Sequence, residues 1–421
     1  MPAYCLPYGK THLTVTLPDS LDVTVLAPRD ADPAPDLPAA AAAALRDLLG
    51  PLNADSLTGA RTAAVAISDK TRPVPQAVLR AALTRLQDEV GLRSEAITLL
   101  IAGGTHAPMT PDEFPQVLPP DLLARHQVIA HDCDDGAALR YLGETPRGTP
   151  VWVSRAFLDA DLRVVIGNIE AHQFMGFSGG VKGAAIGLAG RATVSANHAL
   201  LSDPHALLGR YDDNPARQDV EDIGRLAGVH LAINAVLNRD KQVVRVLAGD
   251  PLAVMRAGIP LVRALVEVPV PAPFGLVIAA PGGHPKDLNL YQAQKALAHA
   301  APVVREGGAV ILVAACGEGT GSAAYEAWMA GMTSHQAVLD RFAREEFRLG
   351  PHKAFLIARD AIRLREVLLV TEMPPDQVRR ALLTPAASLD EALARALPAL
   401  GPDARVTIMP AANATVPVLA G

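Results

Sequence analysis

Apolar residues recur along the chain in two rhythms. Short, nearly continuous runs of Ala, Val, Ile and Leu end abruptly in glycine-containing loops: TAAVAIS at 62–68, AITLLIAGG at 96–104, RVVIGN at 163–168, FGLVIAAPGG at 274–283 and GGAVILVAACGEG at 307–319. Runs of this length, rich in β-branched residues and without polar alternation, predict strands covered on both faces, as in a parallel sheet. Between them, stretches such as PQAVLRAALTRLQDEV at 75–90 and LNLYQAQKALAHAAPVV at 288–304 space their apolar residues three and four apart, the period of a helix with one buried face. Strand and helix alternate, so the predicted fold class is α/β: two domains, each with a mainly parallel sheet flanked by helices. In such folds ligands sit beyond the carboxyl ends of the strands.

The proline-rich stretch VPVPAPF at 268–274 continues neither a helix nor a central strand, and the strand pattern restarts directly after it. It divides the chain into an N-terminal domain over 1–265 and a C-terminal domain over 266–421. A last apolar segment, ARVTIMP at 404–410, reads as one more strand, able to return to either domain. The run AAAAALRDLLG at 40–50 reads as an alanine-rich surface helix. A chain of 421 residues is too long for a single ordinary core, in keeping with two domains.

Composition narrows the function classes. With 50% hydrophobic and 19% charged residues the chain is globular, and with 4% aromatics its core is built from small aliphatic side chains. A net charge of −6 without a basic run argues against nucleic-acid binding. Cys5, Cys133 and Cys316 form no CxxC pair and are odd in number, which speaks for a reducing cytoplasm over a disulfide framework. No stretch approaches a membrane span, and the first 20 residues lack the apolar core of a signal peptide.

The polar clusters fall at the predicted strand ends. After TAAVAIS the loop SDKTRPVP carries Asp69 and Arg72. A guanidinium matches a carboxylate bidentately, and Asp69 is placed to orient either Arg72 or a nearby histidine, although the pair alone equally describes a surface ion pair. His106 stands in GGTHAP after AITLLIA, and His172 repeats the arrangement after RVVIGNIEA. Two imidazoles entering one site from different loops suit a reaction that needs a proton acceptor on each face of a substrate. In GFSGGVKG, Gly176, Gly179 and Gly180 with Ser178 are able to expose backbone N–H groups to a phosphate, but the segment departs from the GxxxxGK[ST] spacing of a nucleoside-triphosphate loop. Lys182 is either a tether or nucleophile or a solvated surface lysine, and His198 on its predicted helix is by itself more readily a packed polar residue than a metal ligand. In GGHPKDLNLYQAQKAL at 282–297, Tyr291 and Lys295 lie i, i+4 on one helix face beside Gln292, a set able to meet an anion.

Taken together, these motifs resemble the nickel-pincer lactate racemase family over roughly residues 60–300, with a weaker match on either side. The resemblance rests on the spacing of His172, Lys182 and His198 (ten residues, then sixteen), the SGGVK core and GGHPKDLNLYQAQKAL. It implies a site in the cleft between the two domains. It further implies a nickel pyridinium-3,5-bisthiocarboxylic acid mononucleotide attached to Lys182, with Ni(II) also bound by His198 in a near square-planar set. His106 and His172 then match the pair that takes and returns the hydroxyl proton, and Arg72, Tyr291, Gln292 and Lys295 match substrate-positioning residues. Asp69 matches an acidic partner within the site. The activity implied is racemisation or epimerisation of a 2-hydroxy acid by reversible hydride transfer through a 2-keto acid, with cofactor-synthesis proteins as partners. The favoured substrate is a short monocarboxylic 2-hydroxy acid such as lactate, because no extra arginine offers itself to a second carboxylate. Dicarboxylic or sugar acids, or a carboxylate- or cofactor-binding protein without turnover, are the alternatives. A nicotinamide-dependent dehydrogenase would show GxGxxG after its first strand, and none is present. The segment GAAIGLAGRAT at 183–193 is richer in Gly and Ala than the family's commonest form.

Overall fold

The computed structural model describes residues 2–52, 57–72, 74–345, 347–401 and 404–420, so Pro73 of the SDKTRPVP loop lies outside the described residues. The chain divides into two compact units, one of residues Asp30–Leu265 and one joining Met1–Arg29 to Val266–Gly421.

In the first unit six strands form one sheet, in the order Val243–Gly249, Leu231–Leu237, Leu162–Ile169, Ala63–Ser68, Ile97–Ala102 and Gln127–Ala130. All neighbours run parallel except Val243–Gly249, which closes one edge antiparallel. Numbered along the chain this is the doubly wound order 3-2-1-4-5-6, whose switch point falls between Ala63–Ser68 and Leu162–Ile169. The central strands are buried on both faces, which is why AAVAI carries no polar alternation until Ser68. Helices Leu37–Arg46 and Gln76–Asp88 cover one face, placing Leu45, Leu79 and Leu83 against Val65, Leu99 and Ile233 in a single core. Each such aliphatic side chain stabilises the fold by about 1.5–3 kcal/mol on burial. On the other face the short helix Lys182–Ala185 lies so close that a Cβ at Gly183 would come within 2.5 Å of Val165 Cγ1. A Cβ at Gly187 would meet Gly183 O at 2.3 Å, and Ala184 and Ala185 are fully buried. The small residues of GAAIGLAG are thus demanded by packing.

The second unit has a sheet parallel throughout, in the order Thr384–Ala386, Glu366–Val370, Val304–Val313, Phe274–Ala279, Arg405–Met409 and Asp22–Val25. Two cores sandwich it. Helices Leu290–Ala300 and His352–Ala361 pack on one face, and Leu389–Ala396 with the hairpin Ala3–Tyr8/Thr11–Thr16 packs on the other through Leu6 and Val15.

One expectation about domain limits changes and one left open is decided. Residues 1–29, assigned above to the N-terminal domain, belong to the second unit, because Asp22–Val25 extends its sheet and the hairpin seals its core. The segment Arg405–Met409 does not return to the N-terminal domain: it pairs with Phe274–Ala279 on one side and Asp22–Val25 on the other. Helix Pro251–Val266 runs through Pro260 to the division, and the proline-rich stretch after it includes a short strand, Glu267–Val270, paired with Val416–Leu419. Among the described residues no helix is long and apolar enough to cross a membrane.

Candidate active site

Three strands of the first unit deliver polar residues at their carboxyl ends. Asp69 follows Ala63–Ser68, His106 follows Ile97–Ala102 and His172 follows Leu162–Ile169, so the two histidines come from the strands on either side of the one that carries Asp69. Asp69 is 6% exposed, whereas the His106 side chain is more than half exposed, and the two meet with His106 Nδ1 2.7 Å from Asp69 Oδ2. Asp69 Oδ1 accepts two further bonds, from Thr71 N–H at 3.1 Å and Thr71 Oγ1 at 2.6 Å. Burial raises the Asp69 pKa, but the hydrogen bonds from His106 and Thr71 outweigh it and hold the carboxyl below its usual value. Of the two partners open to Asp69 in sequence, it takes the histidine. Arg72 is exposed, and its guanidinium donates back to Thr71 O at 2.9 Å.

His172 sits on a tight antiparallel turn, Ala171–His172 paired with Gly176–Phe177. Gly176 adopts φ +68, and any Cβ there would overlap Arg210 O. Within the turn, His172 Nδ1 accepts the Met175 N–H at 3.2 Å. The Phe174 ring stands edge-on between two imidazoles, 4.8 Å from His172 and 5.3 Å from His198 by ring centroids. His198, half-buried on helix Arg191–Ala199, is therefore one aromatic ring away from His172.

The glycine-rich loop follows directly. Ser178 Oγ donates to Asn168 O at 3.0 Å and accepts Glu170 N–H at 3.0 Å, so it closes the loop rather than pointing at a ligand. Gly179 and Gly180 adopt φ +91 and +58, and a Cβ on either would lie 2.7 Å from Ile169 Cγ1 or Met255 Cγ. The Gly180 N–H is taken by fully buried Asn234 Oδ1 at 2.7 Å, which uses up one of the backbone donors read as available to a phosphate. Lys182 opens the helix beneath this loop, its N–H bonded to Gly179 O at 3.2 Å. The Gly104 N–H of the His106 loop donates to Gly187 O at 2.9 Å, and Gly187 N–H in turn reaches Lys182 O at 3.2 Å. Asp69, His106, His172, Lys182 and His198 are thus tied together within one unit.

Tyr291, Gln292 and Lys295 lie in the other unit, on helix Leu290–Ala300 capped by Asn289. Lys295 Nζ donates to Gln292 Oε1 at 2.7 Å. The Tyr291 ring carries Lys353 Nζ at 4.8 Å from its centroid, with His352 edge-on at 6.0 Å, and burial pushes its phenol pKa up.

Several residues that shape the site were not picked out in sequence. Asn214, Arg217 and Asp219, on and just before helix Pro215–Ala227, are each 0% exposed. Arg217 donates to Phe177 O and Gly179 O, both at 3.2 Å, and pairs with Glu221, while Asp219 accepts the Asn197 side-chain amide at 2.9 Å. The Asn-Pro pair that caps this helix is a legible start signal, but nothing in the local pattern marks an arginine as wholly buried.

Comparison with known proteins places the chain. The lactate racemase N-terminal domain model matches residues 8–209 and the lactate racemase C-terminal domain model matches residues 271–416. The lactate racemase of Thermoanaerobacterium thermosaccharolyticum is 28% identical over 415 residues, 96% of each chain. That of Lactiplantibacillus plantarum is 29% identical over 374 residues, covering 87% of this chain and 88% of the relative. The solved apoprotein of the Thermoanaerobacterium thermosaccharolyticum lactate racemase superposes with a TM-score of 0.92 at 27% identity, covering 99% of this chain and 100% of that one. A Thermotoga maritima protein shares the fold, with a TM-score of 0.65 at 20% identity over 91% of this chain and 97% of its own.

Proposed function

Since the chain belongs to the lactate racemase family and is a racemase, we propose that it interconverts the enantiomers of a 2-hydroxy acid with a lysine-tethered nickel-pincer nucleotide. The observation that carries this reading is the opposite hydrogen-bond polarity of its two loop histidines. Nδ1 of His106 faces a carboxylate held ionised, so it donates and leaves Nε2 as an acceptor. Nδ1 of His172 accepts a backbone N–H, so the neutral ring carries its proton on Nε2. His106 is thus set to take a hydroxyl proton at Nε2, and the imidazolium so formed, held by Asp69, can return it, whereas His172 presents Nε2–H to an oxygen and takes a proton itself only in its other tautomer, with the bond from Met175 released.

The donor set fits the cofactor: an amine and an imidazole suited to nickel are anchored in the same unit as both histidines, at Lys182 and His198. The amine of Lys182 would form the thioamide tether and His198 would ligate Ni(II). When bound, the group supplies a carbon acceptor for the substrate's C2 hydride. The chain's own part would be to ionise the hydroxyl through His106, or through His172 in its other tautomer, to hold the carboxylate through Arg72 and Lys295, and to position the substrate through Tyr291 and Gln292. Because the group would both take and give back that hydride, the interconversion through a 2-keto acid would involve no net redox change. Proteins that synthesise the cofactor are the partners this requires. A reducing cytoplasm suits the free thiols of Cys5, Cys133 and Cys316.

A short monocarboxylic acid such as lactate remains the favoured substrate. A dicarboxylic 2-hydroxy acid is the second reading, because Lys353 is a buried cation against the substrate-positioning Tyr291 that the sequence did not associate with it.

The test is intact mass with nickel content, on protein produced together with the cofactor-synthesis machinery, for wild type and Lys182→Ala. One mononucleotide adduct and about one nickel per chain are expected in wild type, and neither in the variant. Absence of both from wild type under conditions that load another member of the family would overturn the reading.

A further inference from the structure

We infer that helix Pro215–Ala227 is the positioning element of the cofactor site, fixing the separation of Lys182 from His198 through Arg217 and Asp219. Four points along it reach residues that adjoin the site. Asn214 Nδ2 donates to Phe174 O at 2.8 Å, fixing the ring that stands between His172 and His198. Arg217 places Nη1 and Nη2 each 3.2 Å from Gly179 O, the same carbonyl that accepts the Lys182 N–H. Asp219 accepts Thr145 Oγ1 at 2.6 Å, Thr149 Oγ1 at 2.9 Å and Asn197 Nδ2 at 2.9 Å, and Asn197 is the residue before His198. Gly224 lets Val181, the residue before Lys182, pack so near that a Cβ would lie 2.3 Å from Val181 Cβ.

These anchors are neither exposed nor interchangeable. Arg217 and Asp219 are 0% exposed, and Arg217 is held in place by Glu221 and by the Tyr211 ring, 5.3 Å away. A buried guanidinium shared between one carboxylate and two loop carbonyls has a single satisfied geometry. A metal held between a tether and a protein ligand would tolerate little error in their separation, and outer partners of this kind hold ligands in place. Because the two anchors are two residues apart on one helix, tether and ligand are referred to one rigid frame.

The inference takes the roles of Lys182 and His198 from the function proposed above, but its geometry does not depend on them, so it is tested in two arms. Hydrogen exchange of the chain without cofactor is expected to quicken within 178–187 in Arg217→Lys, which keeps the charge but loses the fork. In Asp219→Asn it is expected to quicken within 191–199. Strands Ala63–Ser68 and Ile97–Ala102 should be unchanged in both. Loaded protein of either variant should then release nickel severalfold faster than wild type at a temperature where both are folded. Unchanged exchange in both segments, or faster exchange throughout the sheet, would overturn the inference, as would unchanged nickel release. If Arg217→Lys does not fold, Gly224→Ala, which displaces Val181, takes its place. Failure of wild type to acquire the adduct would sink the proposed function alone, and the exchange arm would still decide this one.

Discussion

Asp69 and His106, 37 residues apart in sequence, meet at 2.7 Å, a buried carboxylate holding the Nδ1 proton of a largely exposed imidazole. The pair fixes the tautomer, and with it which nitrogen faces a substrate. Asp69→Asn retains the size but presents a neutral partner that cannot stabilise the imidazolium. Racemisation by loaded enzyme should fall by about 10²-fold, the scale of a compromised general base, with nickel content unchanged. A steady-state rate with metal analysis checks this, and full activity in the variant would remove Asp69 from the proton path.

Much of this was readable in the chain because parallel strands advertise themselves. Runs such as ITLLIA and AAVAI have no polar face, so their ends, and the polar residues just beyond them, could be placed without coordinates. Which polar groups meet was not readable. The choice of His106 over Arg72 as the partner of Asp69 depends on adjacent strands ending at the same level, and the burial of Arg217 depends on a loop forty residues upstream in the chain. Likewise, the backbone N–H groups of Ser178 and Gly180 read as open to a phosphate from a glycine-rich sequence, whereas they donate to Glu170 O and Asn234 Oδ1. The Gly/Ala-rich run after Lys182 is explained by the close approach of Gly183 to Val165.

A second prediction concerns His299, 3% exposed on helix Leu290–Ala300, whose Nδ1 lies 2.7 Å from Thr415 O. Burial pushes its pKa down from 6.5 to about 4, opposed by the bond to Thr415 and reinforced by Lys295. The folded chain therefore refuses a proton that the unfolded chain accepts between those values. Above pH 6.5 the group is neutral in both states and has no effect. As pH falls through 6.5 toward 4, stability should drop by about 1.4 kcal/mol per pH unit, to a total of about 3 kcal/mol. Urea unfolding at several pH values should show this slope, and His299→Gln should flatten it.

Glycine positions separate a demand for backbone freedom from a demand for space. Gly176 and Gly59 both have positive φ, +68 and +80, yet a Cβ at Gly176 would overlap Arg210 O while one at Gly59 meets nothing within 4 Å. Both alanine variants incur the left-handed cost of about 1–2 kcal/mol. Only Gly176→Ala should go further, displacing the His172 turn and abolishing activity. Thermal unfolding of the two variants, with activity of the loaded enzymes, checks the contrast; equal losses in both would mean that the turn yields without harm.

Substrate choice turns on Lys353. A lysine 5% exposed, set over the ring of Tyr291, is a cation already stripped of water, and such a charge interacts strongly with any anion brought near it. If the substrate is monocarboxylic, as favoured here, Lys353 meets no substrate charge and steadies the Tyr291 ring. Lys353→Met, which keeps the aliphatic stem, should then lower kcat/KM for lactate and malate alike, by up to about thirtyfold, in line with a desolvated cation–π contact of about 2 kcal/mol. If the substrate carries a second carboxylate, wild type should turn over malate in preference to lactate. The same variant should lose that preference by about tenfold or more, because a desolvated charge pair loses one partner. Comparing kcat/KM for the two acids in both proteins decides between the readings. A preference for malate that survives in Lys353→Met would show that a different cation carries the discrimination.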